Sequence, residues 1–302
     1  MITQADITAA HARIAGDIRR TPLLRLENGW CLKLENLQRG GSFKVRGAFN
    51  RMRRAGDLST GVVAASGGNH GVAVALAARA LGARADIFVP EVSSPAKQAR
   101  IRAEGANLVV GGARYADALA ASQAHATTTG ATQVHAYDHP DVLAGQGTVA
   151  VEWQQDAAEL THILVAVGGG GLIGGMAAWY AGSGTKVIAV EPANSPALHA
   201  ALAAGRPVDV EVGGVAADSL GARQVGALMF PIAAAHVAAA VLVADHAITA
   251  AQRWLWAECQ TVAEPGGATA LAALLSGAWV PPPGARVGVL VCGGNTAPGS
   301  VG

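Results

Sequence analysis

Four groups of residues in this chain combine types and spacing that could do chemistry. The first is Gly40-Gly41-Ser42-Phe43-Lys44. Two glycines and a serine read as a turn into a helix, with Ser42 as its N-cap. Lys44 then falls in the first helical turn, where the macrodipole disfavours an ammonium. A lysine placed there is more available as a neutral amine, the form that attacks a carbonyl to make a Schiff base. An isolated lysine is far more often an ordinary surface residue, so this one gains meaning only from its company.

The second group, Ser66-Gly67-Gly68-Asn69-His70-Gly71, follows a predicted strand and opens a predicted helix. Glycines let the backbone approach a ligand, and free amides at a helix start attract a carboxylate or phosphate. Asn69 can donate and accept, which suits a phenolate-like ring oxygen; a plain capping role explains it equally well. His70 has a catalytic and a structural reading, and the structural one is the commoner at a helix start. The third group is Gly168-Gly169-Gly170-Gly171-Leu172, four glycines between strand and helix, a nest of amides for a phosphate dianion. Gly169, Gly171 and Gly174 also fit the dinucleotide fingerprint, with Glu191 twenty residues beyond Gly171, so this segment alone admits a nicotinamide oxidoreductase. The fourth, Cys292-Gly293-Gly294-Asn295, ends the last predicted strand. Its cysteine is either a small buried hydrophobe or a weak hydrogen-bond partner for a ring nitrogen.

Positioning these groups requires an alternation of strands and helices. Short β-branched runs at residues 61–65, 84–89, 107–110 and 133–136 alternate with Ala-rich helical stretches at 69–81, 95–104 and 113–129. A second series follows, with strands at 162–167, 186–190 and 286–291 and a helix at 172–181. The pattern is that of a parallel α/β fold, in which ligands sit at the carboxyl ends of the strands, and every glycine cluster falls there. Residues 204–217 lack periodicity and read as loop with possible short strands, and Pro281-Pro282-Pro283 is a loop before the last strand.

The 302 residues suffice for one large domain or two smaller ones, and 51% hydrophobic with 14% charged residues predicts a substantial core. A net charge of +1 gives no reason to expect nucleic acid or an acidic membrane as partner. No apolar run approaches the roughly 20 residues that span a bilayer. The N-terminus lacks a basic region followed by an apolar one, so no secretory signal is expected. The three cysteines are too far apart for metal-ligand spacing and odd in number, which favours a reducing cytoplasm over a disulfide framework.

Taken in order, Ser42-Phe43-Lys44-Val45-Arg46-Gly47-Ala48, the Ser66 to Gly71 and Gly168 to Leu172 groups, Val190-Glu191-Pro192, Glu264-Pro265 and Cys292-Gly293-Gly294-Asn295 resemble the serine/threonine dehydratase family. The resemblance covers nearly the whole chain, including Ala144-Gly145-Gln146-Gly147-Thr148. It implies fold type II of the pyridoxal-phosphate enzymes, a tryptophan-synthase-β-like pair of open, mostly parallel α/β domains with the cofactor in the cleft between them. Lys44 would carry the cofactor and serve as base for the α-proton, with Phe43 beside it. Residues 168–172 would hold the phosphate, Asn69 the 3′-oxygen, Cys292 the pyridine nitrogen, and Glu264 would lie near the ring. Ser66, Gly67, Gly68, Asn69 and His70 would grip the substrate carboxylate. The implied reaction eliminates water from a β-hydroxy amino acid, L-threonine or L-serine by default, to give a 2-oxo acid and ammonia. In the family the departing hydroxyl takes its proton from the cofactor phosphate.

The resemblance also implies a large domain of residues 1–47 and 140–302, an inserted mobile small domain of 48–139, and a homodimer. No regulatory domain is expected beyond Asn295. Family members that bind a divalent cation use a glutamate like Glu191 and an aspartate six residues on; Ala197 stands there, so no such metal is expected. A monovalent cation held by carbonyls is possible. Gly67 occupies the position where serine racemases carry a second acid, so elimination without racemisation is expected; a positive φ at Gly67 would explain the glycine. The alternatives are a β-replacement synthase of the cysteine-synthase type, which usually has threonine after the motif asparagine, and an oxidoreductase, which leaves Lys44 and Asn69 without roles.

Overall fold

The computed structural model describes residues 1–297 and Gly299. The chain opens with α1 (Gln4–Ile14), started by a reciprocal cap between Thr3 and Asp6. A short antiparallel pair, β1 (Leu23–Arg25) and β2 (Cys31–Leu34), leads through two single turns of 3-10 helix into α2 (Lys44–Ala55).

An unbroken strand–helix alternation follows: β3 (Val62–Ala65), α3 (Asn69–Ala80), β4 (Ala85–Val89), α4 (Pro95–Ala103), β5 (Asn107–Val110), α5 (Tyr115–Thr129) and β6 (Thr132–Gln133). These strands form a parallel sheet in the order β5-β4-β3-β6. After α6 (Pro140–Asp156) the second series runs β7 (His162–Ala166), α7 (Gly171–Tyr180), β8 (Lys186–Pro192), α8 (Ala197–Ala204), α9 (Ala217–Leu220), α10 (Phe230–His236), β9 (Val237–Val243), α11 (Asp245–Cys259), α12 (Pro265–Leu275) and β10 (Val287–Val291). Its strands join the first pair in a six-stranded sheet ordered β1-β2-β10-β7-β8-β9, parallel except between β1 and β2.

β3, β4 and β10 are buried along their full length, as strands covered by helices on both faces must be, and β7 is buried after its first residue; the edge strand β5 is partly exposed. Each sheet has its own core. Leu164, Val165, Ile173 and Trp153 pack in that of the larger sheet; Phe49, Val62, Ile87 and Ile101 pack in that of the smaller. β3, β7 and β10 end in the Asn69 loop, the four-glycine run and Cys292, so three of the groups converge at carboxyl ends.

A buried ion network fixes the start of α2. Arg46 bonds Glu35 and Glu152 at 2.7 Å each, and Lys33 reaches Glu152 at 2.9 Å. All four side chains are at most 2% exposed, and two cations face two carboxylates, so no charge is left uncompensated. Because Arg46 is two residues from Lys44, this network holds the reactive turn against β2 and α6.

Several sequence expectations need correction. β6 pairs only at Thr132–Gln133, because the chain then turns into the cleft, and the expected strand through residue 136 does not form. β1, β2 and β9 had no sequence signal. Residues 205–216 are irregular, without strands. Among the described residues no helix is long and apolar enough to cross a membrane.

Candidate active site

Ser42 does not cap α2. It is extended (φ −162°, ψ 163°) and bridges Gly293, and its buried hydroxyl has no partner among the described residues. Phe43 is the capping residue instead, already helical and without a side-chain bond, so Lys44 opens the helix. Phe43 N donates to the carbonyl of Cys292 at 3.2 Å, which ties the lysine's turn to the end of β10. Lys44 Nζ donates to the carbonyl of Ala136 at 2.8 Å and lies 5.2 Å from the centre of the Phe43 ring. Burial of the ammonium lowers its pKa to about 8, against weaker opposite pulls from Cys292 and Glu264.

Gly170 caps α7 with φ +87°, a left-handed conformation that a side chain would strain. Among the described residues, the amides of Gly168, Gly169, Gly170 and Gly171 have no protein acceptor. Four unpaired donors at the start of a ten-residue helix make an anion cradle. A Cβ at Gly169 would lie 2.4 Å from the Tyr137 ring, so the cradle exists only because this residue has no side chain.

A second set of free amides belongs to Gly67, Asn69, His70 and Gly71 at the start of α3, while Gly68 N donates to Ser66 Oγ at 3.2 Å. The imidazole of His70 does not face this nest. It is buried, bonds the carbonyl of Val134 at 2.8 Å, and has its pKa lowered to about 3, first by burial and then by Lys44. His70 is therefore neutral and structural, and only its backbone amide remains for a ligand.

Asn69 is held at both ends of its amide. Its Oδ1 accepts from Asn295 Nδ2 at 2.6 Å, and its Nδ2 donates to Glu264 Oε1. Glu264 precedes α12 and is 8% exposed, and burial raises its pKa to about 7 despite the Asn69 bond. The Cys292 thiol donates to the Gly266 carbonyl at 3.4 Å. Burial lifts its pKa to about 12, with Glu264 adding to the rise, so it stays an uncharged, weak donor. Glu191, by contrast, accepts from Leu198 N and His199 N at 2.7 Å each, and in this structure it serves as a cap for the start of α8.

Lys44, Phe43, Asn69, residues 168–172, Glu264 and Cys292 line a single narrow cavity of about 40 Å³. A larger opening of about 190 Å³, bordered by Gly67, Gly68, Asn69, Lys97, Arg100 and Asp218, adjoins it. Asn69, Ser219 and Glu264 border both. Sequence reasoning missed Tyr137, Ser219, Lys97 and Arg100, whose spacing carries no local signal. Asn295 stood in a recognised motif, but nothing in the motif pointed to its contact with Asn69. A soft amine, an unpaired amide cradle, an amide side chain and a neutral thiol on one cavity are the donor set that the aldehyde, phosphate, ring oxygen and ring nitrogen of pyridoxal phosphate require.

Comparison with known proteins points to the same cofactor. Residues 14–293 match a family model described as pyridoxal-phosphate dependent enzyme. The chain is 36% identical to an L-threonine ammonia-lyase of Thermotoga maritima, over 98% of its own length and 76% of that protein. Among solved structures it is similar to a threonine deaminase from T.th., with a TM-score of 0.91 at 36% identity covering 98% of this chain and 99% of that one. Maize serine racemase aligns with a TM-score of 0.93 at 30% identity, covering 99% of this chain and 95% of the other. With its family model spanning nearly the whole sequence and its fold shared with fold type II members, the chain belongs to the pyridoxal-phosphate dependent enzymes.

Proposed function

We propose that this enzyme eliminates water from a small β-hydroxy amino acid, L-threonine or L-serine by default, releasing a 2-oxo acid and ammonia. The observation that carries the reading is that Lys44, the free glycine amides, Asn69 and the Cys292 thiol border one cavity. Similarity to L-threonine ammonia-lyases supports the substrate class.

When bound, pyridoxal phosphate supplies an electron sink for the pair left on the substrate Cα. The chain's own residues do the rest. Lys44 would carry the cofactor, and its free amine would be the base for the substrate Cα–H; a pKa near 8 suits it to take that proton near neutrality. The amides of residues 168–171 would hold the phosphate. The amides of Gly67, Asn69 and His70 orient the substrate carboxylate, which fixes the Cα–H bond relative to Nζ. The Cys292 thiol is too weak an acid to protonate a pyridine nitrogen, so a cofactor held there would leave negative charge near the substrate Cα, which would favour loss of the β-hydroxyl, once protonated, as water. The enamine that leaves hydrolyses in water.

Residues 48–139 act as a mobile unit in this reading, closing over the substrate to exclude water. The ion pair of Lys97 with Asp218, 2.7 Å across the opening, supports a closing contact between the two sheets. Three unpaired cysteines support work in a reducing cytoplasm. The test is 2-oxo acid release across a panel of β-hydroxy amino acids. Release from threonine or serine supports the proposal. Formation of a new amino acid only when a thiol is added would instead identify a β-replacement synthase.

A further inference from the structure

A chain of polar contacts crosses the cleft from the surface of α4 to the cavity. Arg100 donates to Asn295 Oδ1. Asn295 Nδ2 donates to the carbonyl of Gly40 at 2.8 Å and to Asn69 Oδ1 at 2.6 Å. Asn69 Nδ2 in turn donates to Glu264. Arg100 and Asn69 sit on helices of the smaller sheet, whereas Asn295 follows β10 and Glu264 precedes α12 on the larger. The chain therefore passes between the two sheets at each step.

The donors and acceptors fix a direction. An asparagine amide can turn end for end, exchanging oxygen and nitrogen, unless its partners forbid it. A guanidinium only donates, so Asn295 must present its oxygen to Arg100 and its nitrogen to Gly40 and Asn69. Asn69 must then present its oxygen to Asn295, which leaves its NH2 group directed at Glu264 and the cavity. Arg100 forms no salt bridge among the described residues, although its charge also acts on buried Glu264.

We infer that Arg100 is a positioning residue that sets the orientation of the Asn69 amide through Asn295, so that Asn69 offers a donor to the cofactor ring. The inference rests on the proposed placement of Asn69 beside that ring. Arg100 touches neither cofactor nor substrate in this role. Because its bond to Asn295 joins an element of the smaller sheet to one of the larger, it would also link the donor's readiness to closure of the cleft.

The test uses the cofactor-loaded enzyme and reads its near-visible absorption as a function of pH, with kcat, KM and thermal midpoint alongside. Arg100→Met removes the donor and keeps the aliphatic stem. The spectral titration should shift, and kcat should fall about five-fold, the rate equivalent of one hydrogen bond, with the thermal midpoint unchanged. Arg100→Lys, which still donates, should restore the spectrum. In an Asn295→Ala background, Arg100→Met should have no further spectral effect. An unshifted titration in Arg100→Met, or an effect undiminished without Asn295, overturns the inference. A failure of the site assignment looks different: Asn69→Ala would then leave the spectrum unaltered.

Discussion

Lys44 Nζ donates to the carbonyl oxygen of Ala136 across 2.8 Å, which ties the amine of α2 to the segment joining β6 to α6. That carbonyl is the amine's one hydrogen-bond partner among the described residues, and it does not neutralise a charge. Burial outweighs the pulls of Cys292 and Glu264 and brings the pKa from its ordinary 10.5 to about 8. Between those two values the unfolded chain holds a proton that the folded one has released, so this group makes the apoprotein more stable as pH rises through that window. Covalent capture of the cofactor needs the neutral amine. Its rate with apoprotein should therefore rise with pH to a half-maximum near 8. A midpoint near 10.5 in stopped-flow absorbance would show that the lysine is not desolvated.

The network of Lys33, Glu35, Arg46 and Glu152 has no part in the chemistry but holds the turn that presents Lys44. Glu35→Ala would leave Arg46 buried with only Glu152 to share with Lys33. Removal of one partner from a buried pair should cost about 3–5 kcal/mol of unfolding free energy. Urea denaturation measures this directly, and a loss below about 1 kcal/mol would mean that water enters the site to replace the carboxylate. On the acid side, burial raises the Glu152 pKa, but Arg46 and Lys33 overcome it and leave the value lowered. Its contribution to stability is thus present above the ordinary carboxylate range and disappears as pH falls through the folded value.

Gly67 has no positive φ, so backbone strain is not the reason for a glycine there. A Cβ at that position would lie 2.7 Å from Ser93 Oγ, a side chain that can turn away. Ser66 Oγ, the nearest hydroxyl along the chain, accepts from Gly68 N at 3.2 Å. Inverting Cα requires a proton donor on the face opposite Lys44, and no side chain of this loop supplies one. With L-serine, pyruvate should form far faster than D-serine, as chiral chromatography of the reaction mixture will show. Gly67→Ser should fold and gain measurable D-serine formation. Comparable D-serine and pyruvate rates in the unaltered enzyme would point to a second acid from outside this loop.

How far the sequence revealed this arrangement depended on the range of the interaction. β3, β5 and β7 were legible because β-branched runs end in glycine clusters. β9, Val237–Val243, was not, because its three alanines suit a helix as well as a strand. Lys44, Asn69 and Cys292 stood out through local motifs. The orientation of His70 toward Val134 was invisible, because it depends on a carbonyl just beyond β6, 64 residues away in sequence. The contact of Arg100 with Asn295 spans 195 residues and had no local trace at all. The misreading of Ser42 has a simpler cause: a Gly-Gly-Ser turn commonly caps a helix, but here the serine backbone is drawn into a bridge with Gly293.

The identity of the cofactor-bearing lysine is the claim on which the rest depends, and this chain makes it easy to test. It has four lysines, Lys33, Lys44, Lys97 and Lys186. Lys33 is buried in its pair with Glu152, Lys97 bonds Asp218 at the cleft opening, and Lys186 starts β8 away from the cavity. Borohydride reduction of the cofactor-loaded enzyme, followed by peptide mass spectrometry, should place the pyridoxyl group on Lys44 alone, and Lys44→Ala should fold but neither take the label nor turn over substrate. A label on Lys33, Lys97 or Lys186, or turnover by Lys44→Ala, would contradict the account.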